Sequence, residues 1–340
     1  MDPIKSLDQI RDLLRDLPAA NEGAMAAAKM REATLVKPPG ALGRLEDISE
    51  WLSGWQGHHP PKAERCQVAV FVGSHGVTVE GVSAFPPEVT EQMVEGFKKG
   101  AAAINQLCQI QGCELKIYEV AVEIPTRNFM EQPAMADDEC AEAMAFGMSA
   151  VEDGLDVLCL GEMGIGNTTA AAAVCHGLYG QDAEFWVGPG TGVSGDALTN
   201  KIRVVNEGVS KHKDAMSDGL EVLRHVGGRE MAAIAGAIIA ARLQRIPIML
   251  DGYVCTAAAA ALQAVNPAAL DHCLVGHVSA EPGHIKLLAK LDKEALLNLG
   301  MRLGEGSGAA LAVSVLHAAV ACHTGMGSFD QAGVAAKIDD

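Results

Sequence analysis

Residues 66–76 have the sequence CQVAVFVGSHG, which begins apolar and β-branched and ends polar. A short apolar run bounded by a glycine-containing loop is typical of a strand that is buried on both faces. A long helical stretch is predicted at about residues 87–110, and a second strand at residues 114–122. These residues therefore indicate a strand of a parallel sheet, then a polar loop, then a helix that leads to the next strand.

The same succession recurs along the chain. Further strands are predicted at residues 156–160, 246–250 and 273–278, and a helix follows each of the first two. Strands that alternate with helices of ten or more residues imply a parallel sheet that is covered by helices on both faces. The predicted fold class is therefore α/β, Rossmann-like and doubly wound, with a small helical domain beside the sheet.

Both ends of the chain are predicted to be helical. Residues 6–56 indicate about three helices, which Pro18 and a Pro-Pro-Gly turn at residues 37–40 separate. The chain becomes helical again from about residue 300. We expect a small helical domain made of residues 1–65 and 300–340, and an α/β nucleotide-binding domain made of residues 66–299.

The composition argues against polymer and membrane partners. The 340 residues are 49% hydrophobic, which allows a sizeable core, and their formal net charge is −17. We expect no nucleic-acid binding, because phosphate backbones need a basic surface. The longest apolar runs, at residues 231–241 and 309–322, are shorter than the roughly 20 residues that a bilayer span needs. No membrane association is expected, and the substrate is predicted to be a small metabolite.

The cysteines and histidines suggest no metal, cofactor or disulfide framework. Nine cysteines are scattered without a CxxC pair, which predicts reduced thiols in a cytoplasmic protein. The first five residues show no sign of a signal peptide. The eleven histidines lack zinc-site spacing and HExxH is missing, so packed or surface histidines are favoured. GxSxG is also absent, which argues against a covalent serine nucleophile.

Polar residues follow the predicted strands at the points where they end. Ser74 follows the first strand, Glu162 the third, Asp251 the fourth, and Ser279 with Glu281 the fifth. In a doubly wound sheet these positions lie outside the carboxyl ends of the strands, where such folds bind ligands. The alternative is that loops are polar in any protein, but this explains the whole set less well than it explains one residue.

Residues 161–170, GEMGIGNTTA, are predicted to join a strand to an alanine-rich helix. Glycines let the backbone approach an anion, and the free N–H groups of the first helical turn point toward it. Thr168 and Thr169 add hydroxyl donors. A capped helix without a ligand is the alternative, but the glycines and the nearby Glu162 favour a phosphate or ribose site.

Residues 187–194, VGPGTGVS, carry a weaker signal. Counted from Gly188, position 193 is Val where GxGxxG needs Gly, and no Walker A motif is present, so a flexible loop is the alternative interpretation. Lys201, about two helical turns later, could neutralise a phosphate.

Glu305 lies between glycines in residues 301–310, MRLGEGSGAA, at the predicted start of an apolar helix. A carboxylate at that position could simply interact favourably with the helix dipole, at up to about 1 kcal/mol. Flanking glycines are not needed for that role, but they would leave the carboxylate open to a flat ligand. Arg302, one turn earlier, could pair with a phosphate.

These motifs together resemble the nicotinate-nucleotide–dimethylbenzimidazole phosphoribosyltransferases of cobalamin assembly. The resemblance runs from about residue 35 to residue 325 in the order of the family. It is carried by residues 37–46, 75–77, 80–82, 161–169, 250–252, 279–281 and 302–310. The combination is far more specific than any one glycine loop.

The resemblance implies a reaction in which nicotinate mononucleotide and 5,6-dimethylbenzimidazole give α-ribazole 5′-phosphate and nicotinate. Nicotinate is already a cation on its ribose and leaves without a proton, whereas the incoming base must lose its N–H. By the resemblance Glu305 is the general base, and Glu162 is the candidate either for a second carboxylate that stabilises positive charge on the ribose or for a ribose ligand. Attack opposite the leaving group inverts C1′.

The resemblance also suggests binding residues and a homodimer, for which the N-terminal helices would be natural partners. The predicted nucleotide and phosphate contacts are Gly164, Asn167, Thr168, Lys201, Arg302, Ser279 and Asp251. The predicted contacts of the base are Ser74, Phe85, Met93 and Leu303, although Phe85 and Met93 could equally be core residues. Many family members carry an acidic residue where this chain has Ser74, which leaves open any role for a charge there and the choice of base.

Two other functions fit the same residues. A nucleosidase would use Glu305 to activate water and hydrolyse the mononucleotide. A noncatalytic protein would bind a nucleotide or base in the same pocket, although the retained Glu305 speaks against it.

Overall fold

A six-stranded parallel sheet lies at the centre of the molecule, with the strand order β2-β1-β3-β4-β5-β6. The structure is a computed structural model, and it describes residues 4–335. The strands are β1 (Cys66–Val72), β2 (Glu114–Glu119), β3 (Val157–Met163), β4 (Ile248–Leu250), β5 (Cys273–His277) and β6 (Ala295–Leu297).

Helices precede, connect and follow these strands. Those before the sheet and in its first two crossovers are α1 (Leu7–Arg15), α2 (Glu22–Thr34), α3 (Arg44–Gln56), α4 (Val89–Lys98), α5 (Ala103–Gln111) and α6 (Asp137–Ser149). Between β3 and β4 lie α7 (Asn167–Tyr179), α8 (Ala183–Trp186), α9 (Asp196–His212), α10 (Gly219–Val226) and α11 (Arg229–Leu243). The last are α12 (Tyr253–Val265), α13 (Pro282–Leu291), α14 (Ser307–Gly325) and α15 (Phe329–Ala332).

Each face of the sheet has its own hydrophobic core. Ala69 and Phe71 of β1 pack in the core that includes α6, α7, α11 and α12. Val68 and Val70 of the same strand pack in the core that includes α3, α5 and α14. Successive side chains of a strand point to opposite faces, so a strand covered on both sides must be apolar throughout. The predicted α/β class, with helices on both faces of a parallel sheet, is confirmed.

The strand order creates a crevice above the sheet. From β1 the chain first adds β2 on one side and then crosses over to add β3 on the other side. The loops after β1 and β3 therefore leave the sheet in opposite directions. The crevice between them, outside the carboxyl ends of the strands, is where open α/β sheets bind ligands.

Several element boundaries differ from the sequence prediction. The predicted helix at residues 87–110 is two helices, α4 and α5, because Gly100 adopts φ 72° between them. β3 continues to Met163, so Glu162 belongs to the strand and not to the loop after it. β6 was not predicted, since three residues carry too little pattern and their pairing with β5 decides their conformation.

The helices near the chain ends pack on the sheet and on each other. The prediction of about three N-terminal helices is confirmed, and α2 packs on α3. α14 packs on α3, α5 and β5, so it contributes to one of the two cores. Within residues 4–335, α14 is also the one helix whose length and composition would allow it to cross a bilayer. The division into domains at residues 65 and 300 stays a prediction.

Candidate active site

The turn before α14 has three consecutive residues in the left-handed region. Gly304, Glu305 and Gly306 adopt φ values of 86°, 63° and 77°. The glycines reach this region without a steric penalty, whereas Glu305 pays roughly 1–2 kcal/mol for it. The surrounding structure must supply that energy, and strained residues of this kind concentrate at functional sites.

The ends of two strands, β3 and β4, hold this turn in place. The N–H of Glu305 donates to the carbonyl oxygen of Glu162 in β3, at 3.1 Å. Asp251, directly after β4, accepts the N–H groups of Gly306 and Gly308 at 3.2 and 2.7 Å. Gly161 has no room for a side chain, because a Cβ there would lie 2.7 Å from the carbonyl carbon of Glu305.

Glu162 and Glu305 both border one cavity of about 380 Å³ at the carboxyl ends of the strands. Glu305 is 4% exposed and Glu162 is 8% exposed, and the side-chain amide of Asn167 donates to Glu162. Gly304 leaves the room that the Glu162 carboxylate occupies, since a Cβ there would collide with it. The cavity is lined by Phe85, Val89, Met93, Glu162, Met163, Gly164, Ile165, Asn167, Thr168, Gly190, Thr191, Gly252, Tyr253, Val254, His277, Ser279, Glu281, Arg302, Leu303, Gly304 and Glu305.

Burial raises the pKa of both Glu305 and Glu162. Burial, and next to it the charge of Asp251, raises the pKa of Glu305 to about 7, while the N–H of Ile104 opposes the rise. Burial also raises the pKa of Glu162 well above its ordinary value, reinforced by the charges of Asp251 and Glu230. Desolvation and like charges both favour the protonated form of a carboxyl group. A pKa near 7 suits a group that must accept a proton at neutral pH.

The glycine loop between β3 and α7 turns sharply beneath the cavity. Gly166 adopts φ 95° and precedes α7, whose first residues Asn167 and Thr168 line the cavity. Gly164 packs against the backbone of Gly73, after β1, too closely to admit a side chain. The positive end of the α7 dipole therefore faces the cavity, an arrangement that favours a bound anion.

Lys201 lies behind the cavity wall. It is 1% exposed, and its ammonium donates to the hydroxyl of Thr168 at 2.8 Å and to the carbonyl of Gly188 at 3.0 Å. Burial lowers the pKa of Lys201 to about 8, although the charge of Glu281 opposes this. The ammonium group of Lys201 is therefore separated from the cavity by the hydroxyl of Thr168.

The loop at residues 188–191 is fixed from two sides. A carboxylate oxygen of Glu281 accepts the N–H of Gly190 at 2.9 Å, and Arg302 donates to the carbonyl of Gly190 at 2.8 Å. This loop connects the Lys201 side of the cavity to the Glu305 side.

Comparison with known proteins identifies the family. The sequence pattern of a family described as phosphoribosyltransferase matches residues 17–334. The chain belongs to this family. Relatives named nicotinate-nucleotide–dimethylbenzimidazole phosphoribosyltransferase include one from Rhizobium meliloti (strain 1021), which is 57% identical over 330 residues and 97% of each chain. Another, from Sinorhizobium medicae (strain WSM419), is 57% identical over 331 residues, which cover 97% of this chain and 98% of the relative.

Solved structures support the same assignment. The crystal structure of CobT from Thermus thermophilus superimposes with a TM-score of 0.87 at 39% identity, over 93% of this chain and 100% of that chain. A second structure from that organism, titled as the phosphoribosyltransferase that acts on nicotinate nucleotide and dimethylbenzimidazole, gives 0.86 at 37% identity and the same coverage. The family resemblance predicted from the motifs is confirmed.

In this phosphoribosyltransferase most of the predicted site residues meet at the cavity. Glu305, Glu162, Gly164, Asn167, Thr168, Arg302, Ser279, Phe85, Met93 and Leu303 all line it. Three predicted residues do not. Lys201 reaches it only through Thr168, Asp251 turns both carboxylate oxygens to backbone N–H groups, and Ser74 donates its hydroxyl to the carbonyl of Val122 at 2.7 Å. The roles of all these residues stay predictions.

Other lining residues were not assigned from the sequence. Glu281 was counted among the polar residues after the fifth strand but was given no binding role, and His277 was covered only by the general interpretation of the eleven histidines. Val89, Ile165, Thr191 and Tyr253 gave no usable signal, because an apolar or hydroxyl residue near a loop is common everywhere. Within residues 4–335 no three His, Cys, Asp or Glu side chains cluster as a metal ion would need.

Proposed function

We propose that this phosphoribosyltransferase moves the phosphoribosyl group of nicotinate mononucleotide to 5,6-dimethylbenzimidazole, giving α-ribazole 5′-phosphate and nicotinate. Relatives that carry the corresponding name match 97% of the chain. The observation that carries the mechanism is Glu305, a carboxylate with a pKa of about 7 that borders the cavity from a left-handed turn.

The reaction exchanges one glycosidic bond for another. A benzimidazole nitrogen forms a bond to C1′, and the bond from C1′ to the pyridinium nitrogen breaks, returning its electron pair to the ring. The second benzimidazole nitrogen releases its proton to Glu305. Because attack comes from the face opposite the leaving group, the β-nucleotide gives an α-product.

Glu305 acts as the general base in this proposal. A base works best when its pKa is close to the operating pH, since about half of it is then ionised and the ionised form is a good proton acceptor. The glycines on either side leave the carboxylate open to the edge of a flat base. The proton is transferred only as the new bond forms, so benzimidazole need not ionise in advance.

Glu162 stabilises the positive charge that the ribose carries in the transition state. Its pKa is high in the free protein, because burial and Asp251 disfavour the carboxylate. The pyridinium of the bound nucleotide brings a positive charge, which favours the ionised form of a nearby carboxylate. Substrate binding therefore favours the ionised form of Glu162, which stabilises the positive charge of the transition state.

The phosphate and ribose of the mononucleotide lie at the start of α7 in this proposal. Thr168 and Ser279 supply hydroxyl donors, Asn167 and Gly164 shape the wall, and Arg302 lies at the mouth of the cavity. Lys201 provides a buried positive charge behind Thr168. These donors offset the repulsion that a net charge of −17 exerts on an anionic substrate.

The flat base occupies the apolar side of the cavity. Phe85 and Leu303 are 53% and 55% exposed, and Met93 lies with them in the lining. Large apolar side chains left this open lose solvent contact when a ring stacks on them, which favours binding by about 0.5–1.5 kcal/mol for an aromatic contact.

The test is one incubation with nicotinate mononucleotide, with and without dimethylbenzimidazole, followed by mass spectrometry. The proposal expects α-ribazole phosphate and nicotinate in equal amounts, and neither when the base is omitted. Nicotinate released without the base would indicate a nucleosidase. Binding without any product would indicate a noncatalytic protein. The Glu305→Gln variant should lose about 10²–10⁴-fold in turnover.

We also propose a cytoplasmic homodimer. The nine cysteines all lie within residues 4–335 and form no disulfide there, which fits a reducing compartment. A second copy, reached through the exposed N-terminal helices or the open mouth near Phe85, would shield the cavity from water. Sedimentation equilibrium should give twice the mass of one chain.

A further inference from the structure

Asp251 lies at the centre of the site but faces away from the cavity. It is fully buried directly after β4. One carboxylate oxygen accepts the N–H groups of Gly308 and Ala309 at 2.7 and 3.0 Å, and the other accepts that of Gly306 at 3.2 Å. Asp251 thus occupies the N-terminus of α14, where an anionic ligand could otherwise bind.

The three bonds act on the turn that carries Glu305. Gly306 and Gly308 are the first and third residues after Glu305, and both are tied to one carboxylate. The N–H of Glu305 itself is bound to the carbonyl of Glu162. Removing the Asp251 bonds would free the N–H groups of Gly306 and Gly308 while Glu305 itself stayed attached to β3.

His277 faces Asp251 from the end of β5, with its Nε2 atom 3.5 Å from the carboxylate. Among residues 4–335 it is the one basic side chain within 4 Å of that carboxylate. The ring is wedged beside Gly308 and Gly252, where side chains would collide with it or crowd it. Neither ring nitrogen has a hydrogen-bond partner in the described chain.

The groups that act electrostatically on this carboxylate come from all the elements packed around it. They are Cys159 and Glu162 from β3, His277 from β5, Cys255 from α12 and Glu305 from the turn. Only His277 can carry a positive charge. Burial raises the pKa of Asp251, while His277 and the N–H groups at the start of α14 favour its negative charge. That charge acts on Glu305 through a medium with little water.

We propose that Asp251 is a positioning residue for Glu305. The Asp251 carboxylate holds the left-handed turn by accepting three backbone N–H groups, and its negative charge favours the uptake of a proton by Glu305. This inference rests on the proposed function, in which Glu305 is the general base. Two effects follow from one side chain, because the same carboxylate fixes the direction of Glu305 and repels its ionised form.

The two effects separate in the Asp251→Asn variant. The amide keeps the size of the side chain and one acceptor oxygen, but it loses the charge and turns N–H groups toward a backbone donor. We expect kcat to fall by about ten- to hundredfold, since a small misplacement of a catalytic group costs that much. In a plot of kcat against pH, the acid limb is the range in which kcat rises as Glu305 ionises. We expect this limb to move to lower pH, because without the Asp251 charge Glu305 ionises more easily.

Ser307→Ala is the matched control. Ser307 is buried in the same turn, but its hydroxyl has no hydrogen-bond partner in the described chain and it carries no charge. This variant should keep the wild-type kcat and pH profile. If both variants shift the limb equally, or if Asp251→Asn lowers kcat with the limb unmoved, the charge effect is refuted.

Asp251→Glu keeps the test decisive if the asparagine variant does not fold, as judged by circular dichroism. It retains the charge but displaces the acceptor by one methylene, so kcat should fall with the limb near its wild-type pH. An unchanged kcat would overturn the positioning role. Failure of the proposed function itself would look different, because the wild-type enzyme would then form no product or show no acid limb near pH 7.

Discussion

Replacing Glu305 by glutamine should inactivate the enzyme and stabilise its fold, and the stability gain should depend on pH. In the folded chain the pKa of Glu305 is about 7, against an ordinary value of 4.5. Between pH 4.5 and about pH 7, Glu305 has released its proton in the unfolded chain but still holds it in the folded chain. The free energy of unfolding therefore falls as the pH rises from 4.5 to 7, and it changes no further above 7. A glutamine cannot ionise, so it avoids this loss.

The magnitude follows from the same two values. At about 1.4 kcal/mol for each pH unit, the rise from 4.5 to about 7 corresponds to about 3 kcal/mol. Glu305 borders a cavity that admits water, and solvent screening reduces the figure to roughly 1–3 kcal/mol. Any fixed cost of burying an amide is the same at every pH, so the pH dependence isolates the charge.

Urea unfolding of the ligand-free protein at pH 5 and at pH 8 measures the effect. The stability of Glu305→Gln relative to wild type should increase by about 1–2 kcal/mol between the two pH values. Glu131→Gln is the control, because Glu131 is exposed and makes no ion pair among residues 4–335. An advantage that is equal at pH 5 and pH 8 would refute the argument that burial strains the Glu305 carboxylate.

Three further predictions concern the rest of the cavity. At pH values above 8 the KM for nicotinate mononucleotide should rise, because Lys201, with a pKa of about 8, loses its charge there. In a KM profile from pH 7 to 9.5, the Lys201→Met variant should not show this dependence. Gly161→Ala should lower kcat about ten- to hundredfold by pushing Glu305 aside, whereas Gly96→Ala, with no atom within 4 Å of the new methyl group, should leave kcat unchanged. Phe85→Ala should raise the KM for dimethylbenzimidazole up to about tenfold without altering the melting temperature, since the ring is 53% exposed; an unchanged KM would place the base elsewhere.

The general plan of the fold could be predicted because it depends on local patterns. The uninterrupted apolar run of β1 is what burial on both faces requires, and it is present in the sequence itself. β6 could not be predicted in this way, because three residues become a strand only by pairing with β5. The break between α4 and α5 depended on a single glycine in the left-handed region, which a helical pattern tolerates.

For the site, the sequence by itself determined which residues could do the chemistry. Glycines around Glu305 and after Glu162 marked an open carboxylate and an anion loop, because few other residue types permit those backbones. Only the tertiary structure decided how these groups behave. It placed Asp251 behind the turn rather than in the cavity, and it gave Glu305 a pKa of about 7. Burial and neighbouring charges set that value, and both arise only when β3, β4 and the turn before α14 meet in space.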